Sequence, residues 1–125
     1  MVDDQAINIR TIYEVLKNEY EVLMAMSGED ALAQVSKHHP DLILLDVMMP
    51  EQNGFVTAQQ IREAFPAQHI AIIFLTVLDD HDSFERCLSL GDDFVLKPVE
   101  SSVLLAKVQA HYRIVTMHNE VMAQR

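Results

Sequence analysis

Residues 42–50 read Leu42-Ile43-Leu44-Leu45-Asp46-Val47-Met48-Met49-Pro50. After Pro40-Asp41 come four consecutive apolar side chains, closed by a single carboxylate. A short, continuous apolar run of this kind reads as a strand buried on both faces, as parallel sheets require. A second such run, Ile70-Ala71-Ile72-Ile73-Phe74-Leu75, is rich in β-branched residues and ends at Thr76. Weaker strand candidates lie at residues 21–25 and 94–96.

Helical patterns separate these runs. Ile9, Ile12, Tyr13, Leu16 and Tyr20 recur at i, i+3, i+4 spacing and make one apolar face. Ser27-Gly28-Glu29-Asp30 opens a second helix with Ser27 as N-cap; Ala31, Leu32 and Val35 form its inner face, and His38-His39 closes it. Gly54, Ala58, Ile61 and Phe65 form a third stripe, ended by Pro66. Phe84, Cys87 and Leu88 form a fourth, ended by Gly91. A fifth helix starts near Glu100 and runs towards the C-terminus. Strands and helices in alternation imply right-handed crossovers and an α/β fold, a doubly wound parallel sheet with helices on both faces.

Composition narrows the function classes. The chain has 125 residues, half of them hydrophobic, enough for one domain with a substantial core. Nineteen acidic side chains against nine basic ones give a net charge of −10. That balance argues against direct nucleic-acid binding, which requires a basic face, and against an anionic membrane surface as partner. No apolar run approaches the roughly 20 residues of a spanning helix, and the opening MVDDQ lacks a signal peptide's basic and apolar regions. The single cysteine, Cys87, excludes an intramolecular disulfide and a cysteine-rich metal site. The expectation is a soluble, acidic, cytoplasmic domain.

In open α/β sheets the ligand site lies beyond the carboxyl ends of the strands. Those ends carry Asp3-Asp4, Asp46, Thr76 and Lys97-Pro98. Clustered carboxylates repel unless a cation neutralises them, and a hard divalent ion such as Mg2+ suits oxygen ligands. Thr76 and Lys97 would hold the remaining oxygens of a phosphoryl group. The four elements together, each ending a strand, describe a carboxylate that accepts a phosphoryl group.

These residues resemble the receiver domain of two-component response regulators over nearly the whole chain. The likeness rests on Asp3-Asp4, the segment LLDVMMPEQNGF around Asp46, Thr76 thirty residues later, and Lys97-Pro98. It implies a (βα)5 flavodoxin-like sheet of strand order 2-1-3-4-5 with an extended C-terminal helix. It also implies that Asp46 is the phosphoacceptor and that Asp3, Asp4, Asp46 and the main-chain carbonyl of Met48 bind magnesium. Thr76 and Lys97 would contact the phosphoryl oxygens, and Lys97-Pro98 would be cis. Phe94, three residues before Lys97, falls at the position of an aromatic switch that moves with Thr76. Movement there alters the surface of the fourth helix, fifth strand and fifth helix. The implied partners are a sensor histidine kinase or phosphotransfer protein, a C-terminal output domain and a second copy of the chain in a homodimer.

Four features depart from the family pattern. Only Met1-Val2 precede Asp3, so a front portion of the first strand is expected to lie outside the sequence. Val77 follows Thr76 where the family has a small residue; with Met48 and Leu78 it makes an apolar rim that should narrow access to Asp46 and prolong the phosphoryl lifetime. The Gly91-Asp92-Asp93 turn is one residue short, leaving 21 residues from Thr76 to Lys97. Beyond a receiver spanning residues 1–112, the stretch 113–125 carries Ile114, Met117 and Val121 at helical spacing. That stretch is either a solvated helix tail or a linker towards an output domain such as a diguanylate cyclase, phosphatase or kinase module.

Other residues have plainer readings. None of the six histidines pairs at i, i+3 or i, i+4 within a helix; His111 and His118 read as polar members of the tail. Asp79, Asp80 and Asp82 precede the fourth helix and suit its N-terminus. Cys87 reads as core packing. Two alternatives to the phosphorylated switch remain. An aspartyl-phosphate phosphohydrolase would carry a second Asp where Met48 stands. A degenerate receiver would act as a phosphorylation-independent protein-interaction module.

Overall fold

Both apolar runs are strands. β1 (Leu42–Asp46) and β2 (Ala71–Thr76) pair in parallel, from Leu42 opposite Ala71 to Asp46 opposite Leu75. β3 (Asp93–Leu96) adds in parallel to the far side of β2, with Phe94 opposite Phe74 and Leu96 opposite Thr76. The structure, a computed structural model, describes residues 1–2, 6–48, 53–66, 69–77 and 81–123, and the side chains of residues 6–9, 81–84 and 120–123 lie outside that description.

On the other side of β1, Val2 makes isolated parallel bridges to Leu45 and to Ala25. The Val2 amide donates to the Leu44 carbonyl (2.7 Å), the Asp46 amide to the Val2 carbonyl (2.9 Å), and the Ala25 amide to the Met1 carbonyl (2.9 Å). Residues 21–25, expected as a strand, therefore join through one bridge. A ladder needs successive residue pairs, and Met1 and Val2 supply only two described residues.

The helices are α1 (Ala6–Leu16), α2 (Gly28–His38), α3 (Gly54–Ala64), α4 (His81–Leu90) and α5 (Ser101–Ala123). Alternation along the strands assigns them to two layers, because successive side chains point to opposite faces. Ile43, Leu45, Ile72 and Phe74 pack with Ala31 and Val35 of α2, Ala58 and Ile61 of α3, and Cys87 of α4. Leu44, Ile73, Leu75 and Val95 pack with Ile12 and Leu16 of α1 and with Leu104 and Val108 of α5. β2 is buried along its whole length, and each of its Ile, Phe and Leu side chains contributes roughly 1.5–3 kcal/mol relative to exposure.

The helix ends follow the local chemistry read from the sequence. Ser27 accepts a hydrogen bond from the Asp30 amide (3.1 Å), satisfying one orphan donor of α2. His39 stops the same helix in the left-handed region (φ 51°), and its amide donates to Val35. Asn53 caps α3 in the same way through Val56. On α4 the expected stripe is narrower: Cys87 is fully buried, but Leu88 is 55% exposed. A core that already contains Phe74 and Phe55 leaves room on α4 for the small thiol at that depth. Asp82 is the second residue of α4 rather than preceding it, and Asp79 and Asp80 lie outside the described residues.

Beyond residue 112, α5 continues without a break. Val115 is buried, and the Asn119 side chain donates through Nδ2 to Asp41 Oδ1 (2.9 Å) and to the His69 carbonyl (3.3 Å). Of the three apolar residues singled out in the sequence, Ile114 and Met117 are exposed instead, and the side chain of Val121 lies outside the described residues.

Candidate functional site

Parallel pairing in register brings the carboxyl ends of β1, β2 and β3 side by side. Asp46 ends β1, Thr76 ends β2, and Lys97 follows β3. The Lys97 amide donates to the Thr76 carbonyl (2.8 Å), which fixes where the lysine leaves the sheet. The Lys97-Pro98 peptide is cis. Lys97 Nζ then donates to Asp46 Oδ1 at 2.7 Å, across 51 residues of sequence.

Asp46 is only 2% exposed. A buried carboxylate without a counter-charge is strongly disfavoured, and Lys97 supplies the charge. The Met48 amide also donates to Oδ1, at 3.3 Å. Oδ2 has no hydrogen-bond partner among the described residues, so it is the oxygen with capacity to bond elsewhere. Thr76 is 4% exposed, while Met48 (68%) and Val77 (58%) stand out on the rim.

The turn after β1 is held tightly. The Val47 amide donates to the Leu75 carbonyl (3.1 Å), and the Gly54 amide donates back to the Val47 carbonyl (2.8 Å). A Cβ built on Gly54 would lie 2.3 Å from the Asp46 carbonyl oxygen. The sequence spacing places Gly54 in an apolar stripe; its role is to let α3 start directly against the end of β1.

Of the site residues expected from the sequence, Asp46 and Lys97 are in direct contact and Thr76 ends the neighbouring strand. Asp3, Asp4 and Leu78 lie outside the described residues. Among the described residues, no group of three His, Cys, Asp or Glu side chains comes together. The carboxylate Oδ2 of Asp46 and the main-chain carbonyl of Met48 are nonetheless the hard oxygen donors that a divalent ion takes.

Two polar clusters at the opposite, amino-terminal ends of β2 and β3 had no signal in the sequence pattern. Arg62 donates to the Ile70 carbonyl (2.6 Å), the Leu90 carbonyl (3.4 Å) and Asp92 Oδ2 (3.2 Å). Asp92 in turn accepts the Ile72 amide (2.8 Å) and donates its own amide to the Ile72 carbonyl (2.7 Å). This clamp defines the short turn between α4 and β3. In the second cluster, Asp93 binds Lys107 Nζ (3.2 Å) and His111 Nε2 (3.0 Å). Burial alone would raise the Asp93 pKa, but hydrogen bonds from the Phe94 amide, His111 and Lys107 outweigh it and hold the carboxyl below its usual value. His111 is thus half-buried and bonded rather than a plain tail residue, and the His118 ring packs on His69 with centroids 4.1 Å apart. Their partners lie far away in sequence, beyond the reach of spacing arguments.

The sequence model described as "Response regulator receiver domain" matches residues 1–109. The chain belongs to the receiver family of two-component response regulators. Among curated relatives, the response regulator PleD of Caulobacter vibrioides is 36% identical over 123 residues, covering 97% of this chain and 27% of PleD. A probable cyclic di-GMP phosphodiesterase of Vibrio cholerae is 35% identical over 112 residues, covering 89% of this chain and 25% of that protein. This receiver chain therefore spans about a quarter of the length of these relatives. Among solved structures, the chemotaxis protein CheY4 of Vibrio cholerae superposes with a TM-score of 0.81 at 27% identity, over 87% of this chain and 92% of CheY4. The likeness carries the family and the CheY-like parallel α/β architecture. Among the described residues, no helix is long and apolar enough to cross a membrane.

Proposed function

We propose that this receiver takes a phosphoryl group from the phosphohistidine of a sensor histidine kinase, or of a phosphotransfer protein, onto Asp46. The observation that carries the reading is the buried Asp46 carboxylate, bonded through Oδ1 to Lys97 and without a partner on Oδ2 among the described residues. In the reaction a carboxylate oxygen of Asp46 attacks phosphorus, the phosphorus–nitrogen bond breaks, and the departing imidazole takes up a proton. Lys97 keeps an ammonium at the carboxylate throughout, and Thr76 presents its hydroxyl from the adjacent strand end. Catalysis is then positioning plus charge neutralisation.

The residues that would hold Mg2+ are Asp3, Asp4, Asp46 and the Met48 carbonyl. When bound, the ion neutralises charge on the phosphoryl oxygens. The domain is a self-modifying signalling switch, not a turnover enzyme, with the exposed Met48 and Val77 making a rim that slows hydrolysis of the product. Phosphorylation would move Thr76 and Phe94 and re-shape the surface made by α4, β3 and α5. The single bridges at Val2 and Ala25 support a sheet of family order 2-1-3-4-5 in a (βα)5 fold. Residues 1–112 would form the receiver and 113–125 the helix extension towards a C-terminal output domain, as the longer relatives suggest. A homodimer and a cytoplasmic location complete the reading.

Intact-mass measurement after incubation with Mg2+ and a small phosphodonor tests it. One phosphoryl adduct is expected, absent in Asp46→Asn. No adduct from either a small donor or a histidine kinase would favour a phosphorylation-independent interaction module instead. Millimolar Mg2+ should also raise the melting temperature, since a ligand that binds only the folded state stabilises it. An unchanged melting curve would remove the metal from the proposal.

A further inference from the structure

Phe94 is the aromatic at which the proposed switch is read, and α5 has built a cationic clamp around it. Lys107 Nζ lies 5.1 Å from the centre of the Phe94 ring. The same ammonium donates to the Phe94 carbonyl (2.7 Å) and to Asp93 Oδ1 (3.2 Å). Asp93 is itself fixed from two sides, accepting the Phe94 amide on Oδ1 (2.8 Å) and contacting His111 Nε2 through Oδ2 (3.0 Å). A lysine carries three donor hydrogens, and here a carboxylate, a carbonyl and a ring face all belong to one pair of adjacent residues.

Phe94 links that clamp to the site. Its half-buried ring packs against the core cluster that contains Phe74 and Cys87. It pairs with Phe74 in the sheet, two residues before Leu96 pairs with Thr76 and three before Lys97 reaches Asp46. A lysine serving only as a solvated surface charge would contact none of these, and its stem would need no anchor. Two α5 residues one turn apart, Lys107 and His111, converge on one carboxylate beside one aromatic.

We propose that Lys107 is a positioning residue for Phe94. Anchored by Asp93 and His111, it holds the ring in the orientation that accompanies the Lys97–Asp46 pair, and so opposes the reorientation that phosphorylation requires. The proposal rests on the receiver reading of Asp46 and Phe94. Coupling between ring and site is reciprocal: whatever favours the present ring orientation disfavours the phosphorylated form by the same factor. An exposed cation–aromatic contact corresponds to roughly a two- to fivefold population change.

The chain contains five phenylalanines, so fluorophenylalanine labelling gives five fluorine resonances, with the one lost in Phe94→Leu assigned to Phe94. In K107M, which keeps the stem and removes the charge, the Phe94 resonance should shift. The fraction phosphorylated at a limiting concentration of acetyl phosphate should rise roughly two- to fivefold. K107R, which restores a cation over the ring, should return both values towards those of the wild type. A K107M protein with an unmoved Phe94 resonance and unchanged phosphorylation overturns the proposal. So does a K107R protein as displaced as K107M, since that would make side-chain fit rather than charge the cause. Should K107M fail to fold, D93N loosens the ammonium while leaving it present, and a smaller shift in the same direction is expected; none refutes the clamp. If the wild type takes no phosphoryl group at all, the receiver reading fails, yet the Phe94 resonance still decides whether Lys107 positions the ring.

Discussion

Substituting Gly54 by alanine adds one methyl group at the junction of β1 and α3. That methyl would stand 2.3 Å from the Asp46 carbonyl oxygen, 2.9 Å from Val47 Cα and 3.0 Å from the Asp46 carbonyl carbon. All three are main-chain atoms, so no side-chain rotation relieves the overlap; α3 must move back from the strand end. Overpacking of this kind costs about 1–3 kcal/mol. The shift also stretches the 2.8 Å bond from the Gly54 amide to Val47, worth a further 0.5–1.5 kcal/mol or about that. Against this, alanine gains up to about 1 kcal/mol over glycine in a helix interior, and less at the first helical position that Gly54 occupies. The net expectation is a loss of about 1–3 kcal/mol. With an unfolding entropy near 2.1 cal/mol/K per residue, that corresponds to a melting temperature lower by about 4–12 °C. Calorimetry together with urea unfolding reads it, and the urea midpoint should fall without a change in slope. Because Val47 and Met48 lie against Asp46, the adduct yield from a small phosphodonor should fall as well. A melting temperature within 1 °C of the parent, or above it as helix propensity alone would give, refutes the close contact.

Arg62→Met should destabilise by about 1–3 kcal/mol, since the part-buried carbonyls of Ile70 and Leu90 lose their donor; urea midpoints measure it, and a change below about 0.5 kcal/mol would mean the clamp is dispensable. Burial pushes the Cys87 thiol up from 9.0 to about 11, so the folded state keeps its proton where the unfolded chain loses it. Stability is then intact below pH 9 and declines between pH 9 and 11, by at most about 1.4 kcal/mol per pH unit; Cys87→Ala should lack that slope. Asp93 has the opposite sign: its lowered pKa gives stability that is present above the usual value of 3.8 and lost as pH falls through the folded value. Acid titration of unfolding should therefore show a shallower acid limb in Asp93→Asn, and an identical limb would show that the three hydrogen bonds to this carboxylate do not bear on stability.

The strands and the candidate site were legible for a shared reason. A strand buried on both faces has no polar positions, so residues 42–45 and 70–75 announced themselves, and a polar residue at the end of each run then marked the rim. The cap of α2 was legible because Ser27 acts on an amide three residues away; Asn53 does the same for α3 and was found only in the structure. The segment 21–25 resembles a strand, and among the described residues its backbone pairs with Met1 and Val2 through a single bridge. Leu88 fitted the helical stripe of Cys87, yet the two differ completely in burial, because one face of a helix near the edge of a sheet is only partly covered.

The alternation of strand and helix, the family, and the set Asp46, Thr76 and Lys97 at strand ends were all legible along the chain. Those properties show in short local patterns, where periodicity and local hydrogen bonding act, and in the order and spacing of the strand ends along the chain. Tertiary structure alone decided which polar groups meet. Arg62 and Asp92 are 30 residues apart, His111 and Asp93 are 18 apart, and Lys97 reaches Asp46 across 51. Such pairings follow from how parallel crossovers place separate strand ends and helix faces side by side. The buried Asp46 carboxylate is paired with the side-chain cation that this placement delivers to it.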